Sequence, residues 1–461
     1  MRSRIRWPSP ISRRAYAHSW TSGARFSPRL ESDAIGAGFV AAHRAGCATD
    51  RKIVSKRTNK NMRHRAAVPM ERMLDIRLSE EQEAIRDGVK RVCDQFGDEY
   101  WSKKDQEKAF PFEFHKAMAD AGWLGITMPE DLGGANLGVT EAAIMMHEVA
   151  ASAGGYSAAS TIHLNIFGPH AVVVNGTAEQ KDRMLRPLIA GVDKACFGVT
   201  EPDAGLDTTS IKTFATKVDG GYRVTGRKIW TSSGQVANKI LLLTRTTPKE
   251  ECRKPTDGMT LFYTDLDRDQ VEVRRIDKMG RNAVDSNATF IDDYFVPDAD
   301  RIGEEGKGFH YIMHSLNPER VLVGIEAVGL GRGALARAAR YAGDRSVFGR
   351  LIGQNQGIQH PLAENWIYLE SAYWMIMRAA YLYDNGLPCG AEANAGKFLG
   401  GRAAFDACTR AVMTHGGMGY STEYQVERLF RESILLRIAP ITEQLILSFI
   451  AERQLGLPKS Y

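Results

Sequence analysis

Gly329-Leu330-Gly331-Arg332-Gly333 has the glycine density of a phosphate-cradling loop. A dinucleotide fingerprint, however, needs a strand before it and a last glycine three residues beyond the second. Here both flanks, Arg320–Val328 and Ala334–Tyr341, read as helix, so the glycines are expected to let helices approach closely. His310 and His314 stand four apart, the spacing of two zinc ligands on one helix face, but Tyr311 follows where a zinc hydrolase helix needs Glu. No metal site is expected. Ser232 and Ser233 lack the strand-turn-helix setting of an activated serine. Cysteines 47, 93, 196, 252, 389 and 408 form no C-x-x-C pair and read as reduced thiols in a reducing compartment.

The elements that would position any chemistry change character along the chain. Ser79 and Gln82 have capping-box spacing, and Ile85, Val89, Val92 and Phe96 follow at intervals of four, three and four, which predicts an amphipathic helix. Helical patterns recur over 111–122, 140–151 and 178–188. From residue 195 short segments rich in β-branched and aromatic residues (211–218, 222–225, 239–244, 259–264, 271–274) alternate with Asp-Gly and Pro turns, which predicts antiparallel strands. Long helices are expected again over 310–342, 355–385, 391–415, 423–434 and 441–455. The fold class is α+β: a helical domain over 74–192, a β-domain over 193–305 and a helical domain over 306–461.

Residues 1–73 read as a basic extension without steady periodicity, either a mitochondrial transit peptide or a stretch upstream of a start at Met70 or Met73. The first reading places the protein in the mitochondrial matrix and the second in a bacterial cytoplasm. The charge balance depends on this segment. The chain carries a net +5 and its first seventy residues +12, so the remainder stands at −7, which argues against a nucleic-acid partner. No uninterrupted apolar run of about 18–20 residues suggests a membrane span, so a soluble protein is expected.

The informative residues are dispersed. Val199-Thr200-Glu201-Pro202-Asp203-Ala204-Gly205-Leu206-Asp207 joins the first helical unit to the strands, and Lys228-Ile229-Trp230-Thr231-Ser232-Ser233-Gly234 ends a strand with an indole beside hydroxyls. Asp344-Arg345-Ser346-Val347-Phe348-Gly349, Gln356 and His415-Gly416-Gly417-Met418-Gly419-Tyr420 follow. In this order, from residue 77 to the C-terminus, they resemble the acyl-CoA dehydrogenase family. The resemblance implies an FAD enzyme that removes an α-proton and a β-hydride from an acyl-CoA thioester, gives a trans-2-enoyl-CoA and passes electrons to an electron-transferring flavoprotein. It also implies a homotetramer built as a dimer of dimers.

By the same resemblance Phe197, Val199 and Thr200 meet the pyrimidine edge of the flavin, and Trp230 and Ser232 lie at its ring and N5 side. Arg345 offers forked donors to the pyrophosphate, Phe348 and Gln356 complete that contact from a neighbouring protomer, and Gly416 and Gly417 allow close backbone approach. Thr442 and Gln444 keep residue types that face FAD in the family.

The base is where this chain departs. Most members carry a Glu before Gly-Thr near the start of the last helix, and Pro440 occupies that place here. A minority, with the isovaleryl- and long-chain acyl-CoA dehydrogenases, carry Glu before Arg in an earlier helix, and Asn317-Pro318-Glu319-Arg320 matches that arrangement. Glu319 is the expected base, with Glu443 in reserve and Arg320 on the substrate side. Pro440 also lacks the N–H that would polarise the thioester carbonyl, so Ile441 or a shifted backbone must supply it. Leu206 stands where many members have a ligand-contacting Ser. Ala439 replaces a common aromatic and opens the acyl pocket, which points to a branched or bulky chain. The alternatives are a flavin oxidase or oxygenase on the same scaffold, or a catalytically silent acyl-CoA- and FAD-binding protein.

Overall fold

The structure, a computed structural model, describes residues 77–460 apart from His314. The expectations for residues 1–73, and the His310–His314 pair through its second member, therefore lie outside the described residues.

Seven helices come first: α1 (Glu80–Cys93), α2 (Asp98–Gln106), α3 (Phe112–Asp120), α4 (Val139–Ala151), α5 (Gly155–Phe167), α6 (His170–Asn175) and α7 (Ala178–Ile189). The predicted capping box starts α1: the Ser79 hydroxyl accepts from the Gln82 amide and the Gln82 side chain accepts from the Ser79 amide, both at 3.2 Å, while Ile85, Val89 and Val92 are buried. The N-terminus of α4 follows Gly138, which has no side chain to cap with. Asp384 serves instead, accepting from the amides of Val139 at 2.7 Å and Thr140 at 2.8 Å.

The β-domain holds β1 (Ala195–Gly198), β2 (Phe214–Val218), β3 (Gly221–Ser232), β4 (Lys239–Arg245), β5 (Met259–Asp265), β6 (Val271–Arg275), β7 (Ser286–Pro297) and β8 (Arg301–Ile302). They make one sheet in the order β6-β7-β3-β2-β4-β5-β8, with β1 also on β4. The expectation of antiparallel strands needs correction at β4, where β1 runs parallel from Ala195↔Lys239 to Gly198↔Leu242 and β2 touches in parallel at Phe214↔Arg245. Entry from α7 fixes the direction of β1, which no local pattern encodes. β3 is longer than its predicted 222–225 core and runs through the Lys228–Ser232 motif, with its register on β7 interrupted between Lys228 and Thr231.

Then follow α8 (Gly308–Met313), α9 (Leu316–Asp344), a small hairpin of β9 (Ser346–Val347) and β10 (Arg350–Leu351), α10 (Gln356–Asp384), α11 (Gly390–His415), α12 (Val426–Ser433), α13 (Leu435–Ile438) and α14 (Glu443–Arg453). α9 crosses the core between α4, α10 and α11. A Cβ at Gly329 would lie 2.4 Å from the His147 carbonyl oxygen, one at Gly331 2.6 Å from Leu369, and one at Gly400 2.7 Å from the Gly324 carbonyl oxygen. The glycine run is thus a packing seam inside an unbroken helix, as expected, and no phosphate loop. Val426–Arg453 is long and apolar enough by length and composition alone to cross a membrane, but it is broken into three helices, α12, α13 and α14, with Pro440 before the last.

Candidate active site

The strand end at β1 is locked to β3 by a buried ion pair. Lys228 Nζ lies 2.8 Å from Glu201 Oε1 and donates to the Val199 carbonyl at 3.2 Å, while Glu201 also accepts from the amides of Lys212 at 2.6 Å and Thr213 at 2.9 Å. The Ile229 amide donates to the Thr200 carbonyl at 2.9 Å. Burial pushes the Lys228 ammonium down to about 8, with Glu201 opposing the shift, and Glu201 is held below its ordinary value because the Lys228 charge and its donors outweigh burial. Phe197, Val199 and Thr200 sit partly exposed on this fixed edge, and Leu206 lies exposed on the following turn.

Trp230 occupies the register break of β3 with φ of +62° and is 56% exposed. A left-handed backbone is costly for so large a residue, so its outward placement is a built feature. Two residues on, Ser232 Oγ accepts from Arg281 Nη2 at 3.0 Å, and the same nitrogen donates to Ser286 Oγ at 3.0 Å.

Glu319 lies in the first turn of α9, its amide donating to the Ser315 carbonyl at 3.0 Å. Pro318 stands in that same turn, where a missing N–H costs nothing. The Glu319 side chain is partly buried, and burial raises its pKa above the ordinary 4.5 against the opposing charges of His163, Arg320 and Lys397. A surface helix-cap glutamate would show the opposite shift. Seven residues along the same face, buried Glu326 places Oε1 2.6 Å from His163 Nδ1 of α5. Burial favours neutral His163, but the charge and hydrogen bond of Glu326 prevail and raise its pKa. Arg320 is partly buried beside Glu319 and donates to Asn317 Oδ1 at 3.0 Å.

Lys397, whose charge acts on Glu319, reaches toward the segment that leads into the last helix. Buried on α11, it donates to the Ile441 carbonyl at 2.6 Å, just after Pro440, and burial lowers its pKa to about 8. Ala439 is partly buried and Pro440 exposed. The Thr442 hydroxyl caps α14 by accepting from the Leu445 amide at 3.4 Å, and Gln444 is exposed. Glu443 does not qualify as reserve base: Arg437 approaches it at 2.6 Å and Arg402 at 3.0 Å, and these partners hold its pKa below 4.5. A carboxylate clamped between two guanidiniums is a poor proton acceptor.

Arg345, Phe348 and Gln356 form a separate group at the outer end of α9 and α10. All three are exposed, Phe348 completely, and the β9–β10 hairpin holds Phe348 at φ of +54°. Gly416 and Gly417 end α11, Gly416 with φ +61° and ψ −132°, which only glycine adopts readily, and nothing lies within 4 Å of a Cβ built at either.

Comparison with known families matches three successive descriptions along this layout: the acyl-CoA dehydrogenase N-terminal domain over 79–192, the middle domain over 196–294 and the C-terminal domain over 306–455. The chain belongs to the acyl-CoA dehydrogenase family. A Mycobacterium bovis acyl-CoA dehydrogenase, fadE12, is 33% identical over 399 residues, covering 83% of this chain and 98% of the relative. Benzylmalonyl-CoA dehydrogenase of Aromatoleum aromaticum is 33% identical over 382 residues, covering 82% and 99%. The solved structure of butyryl-CoA dehydrogenase from Megasphaera elsdenii superposes with a TM-score of 0.79 at 27% identity, covering 83% and 100%. This acyl-CoA dehydrogenase is accordingly an FAD-dependent oxidoreductase that converts an acyl-CoA thioester to the trans-2-enoyl-CoA and hands electrons to an electron-transferring flavoprotein.

The residues present suit a flavin. An outward indole, the Thr200 and Ser232 hydroxyls and the partly exposed edge of β1 combine an apolar face with fixed polar groups, as a planar heterocycle with a polar rim requires. Among the described residues no cluster of His, Cys, Asp and Glu could hold a metal, and the described cysteines are free. Sequence reasoning missed five residues of this acyl-CoA dehydrogenase: Lys228 and Glu201 as a pair, Lys397, and the His163–Glu326 pair. Lys397 did carry a signal, as a long cationic side chain in an Ala- and Gly-rich stretch of α11. The two pairs join residues far apart in sequence and carried none.

Proposed function

We propose that Glu319 is the base of this dehydrogenase. The observation that carries the reading is the contrast between two glutamates: Glu319 is partly buried with its pKa raised, whereas Glu443 is neutralised by Arg402 and Arg437 with its pKa lowered. A desolvated carboxylate takes up the α-proton at its own oxygen far more readily than a solvated one. Bound FAD supplies the acceptor for the β-hydrogen and its electron pair. Trp230, Ser232 and the edge formed by Phe197, Val199 and Thr200 would hold its ring, and Thr442 and Gln444 would face it from α14. Arg345 with Gly416 and Gly417 would hold its phosphates, Phe348 and Gln356 completing that contact in a neighbouring protomer. Exposed Trp366, Ile367, Tyr368 and Trp374 on α10 extend the same outer region and support assembly as a homotetramer.

Ile441, rather than Pro440, would donate its N–H to the thioester carbonyl, and Arg320 would face the substrate. Small Ala439 leaves room beside the reacting carbons, and Leu206 adds an apolar rim. The benzylmalonyl-CoA relative supports a branched or aryl-bearing acyl chain. The test is Glu319→Gln with FAD bound: dye-coupled turnover should fall about 10²–10⁴-fold, and retained turnover would refute the assignment.

A further inference from the structure

Arg281 sits between β6 and β7 with φ of +56°, a backbone that costs a non-glycine residue energy. From there Nη2 donates to Ser232 Oγ and Ser286 Oγ, both at 3.0 Å, and Nη1 to Ser160 Oγ at 3.4 Å. One guanidinium thus gathers hydroxyls from the end of β3, the start of β7 and α5. Among the described residues it forms no ion pair, and its Nε is buried without a partner. A partly buried cation that meets only neutral hydroxyls is an expensive way to crosslink three segments. Neighbouring Lys278 donates to the Gly280 and Arg281 carbonyls, and burial with the Arg281 and Arg275 charges pushes it down to about 7.

Hydrogen-bond accounting fixes what this does to Ser232. Guanidinium donates and never accepts, so Ser232 Oγ spends a lone pair on Arg281 and must direct its single proton elsewhere. Ser232 therefore keeps its proton available to donate on its other side, backed by a positive charge.

We propose that Arg281 is a positioning residue for electron acceptance, which through Ser232 holds a fixed donor and a permanent cation behind the flavin ring and so favours its reduced form. This rests on the reading that Ser232 borders the ring. Dehydrogenation moves the α-proton to Glu319 and the β-hydrogen with two electrons to the ring, which thereby gains one negative charge. A cation behind the receiving edge offsets that charge.

The experiment compares FAD-loaded wild type, Arg281→Gln, Arg281→Lys and Ser232→Ala by two-electron dye equilibration, with FAD affinity and thermal melting alongside. Arg281→Gln keeps a hydrogen-bonding side chain without the charge. It should lower the reduced-to-oxidised ratio at a fixed dye potential at least tenfold, about 30 mV for a two-electron couple, while Arg281→Lys stays nearer wild type. An unchanged potential in folded Arg281→Gln overturns the proposal. Should that variant fail to fold, Arg281→Met gives the same comparison with the same meaning. Ser232→Ala separates the two layers: if it leaves the flavin spectrum and FAD affinity unchanged, Ser232 does not border the ring and the underlying reading fails. If it shifts them while Arg281→Gln leaves the potential alone, only the present proposal fails.

Discussion

Nδ1 of His163 lies 2.6 Å from Oε1 of Glu326, two turns along α9 from Glu319. One imidazole thus answers to two carboxylates, pairing with Glu326 directly and acting on Glu319 through its charge. The charged form of His163 counters the burial that raises Glu319. His163→Asn removes that charge and should move the acid limb of the kcat/KM–pH profile upward. Glu326→Gln should shift it less, because the imidazole loses the carboxylate that holds its proton while Glu319 also loses the upward push of the Glu326 charge. Arg320 and Lys397 remain near Glu319 in both variants, so the limb should shift rather than disappear. Profiles that superpose on wild type would remove His163 from the base's environment.

Glu319 should make the fold less stable than it need be. Its folded-state pKa is raised above the ordinary 4.5, so the folded chain binds this proton more tightly than the unfolded chain. Stability is then lost as pH rises from that ordinary value through the raised one, and the deficit is complete above it. Glu319→Gln should melt at a higher temperature than wild type at pH 7.5, with the gap closing toward pH 4.5. A variant that melts lower at neutral pH would mean the carboxylate is favourably paired rather than desolvated.

Most of the architecture was legible because it is periodic. The capping box of α1, the long helices α9 to α11 and the short strands follow from apolar spacing, and the glycine seam of α9 follows from the absence of a strand before it. α2, α5 and α6 were not anticipated, and neither was β7 with its full partner strand β3, because Trp230 and Asp293 at positive φ interrupt an even alternation. Site residues carried by contiguous motifs could be named, whereas the cap of α4 by Asp384 and the pairing of His163 with Glu326 join positions 244 and 163 residues apart. Sequence spacing says nothing about contacts of that kind. Glu443 shows the reverse error, since its helical position alone hid the two arginines that neutralise it.

Lys228→Met should be among the more damaging substitutions in the β-domain. It leaves the Glu201 carboxylate buried with its amide donors but without its cation, a change that typically costs roughly 3–5 kcal/mol. Removing both charges in Lys228→Met/Glu201→Gln should recover part of the loss, since no buried charge is left unpaired, but not all of it: the Lys212 and Thr213 amides use separate oxygens of Glu201 and Gln offers only one. Urea unfolding of the four chains forms the double-mutant cycle. FAD affinity should fall with the single variant, since the Val199–Thr200 edge hangs on this pair. Additive single effects would mean that the pair is not coupled.

Pro440 and Ala439 make separable predictions about the substrate. If the Ile441 amide already polarises the thioester carbonyl, Pro440→Gly restores an N–H that is not needed, and kcat should change by less than about threefold. A gain approaching the roughly 10²–10³-fold worth of an oxyanion donor would show that the native site lacks one. Ala439→Tyr, by contrast, refills the space beside the reacting carbons. It should cut kcat/KM for branched and aryl-bearing acyl-CoAs by at least tenfold, on the order of the 1–3 kcal/mol that pocket contacts discriminate, and spare butyryl-CoA. A panel in which wild type prefers short straight chains, or in which Ala439→Tyr slows all substrates alike, would place the acyl pocket elsewhere.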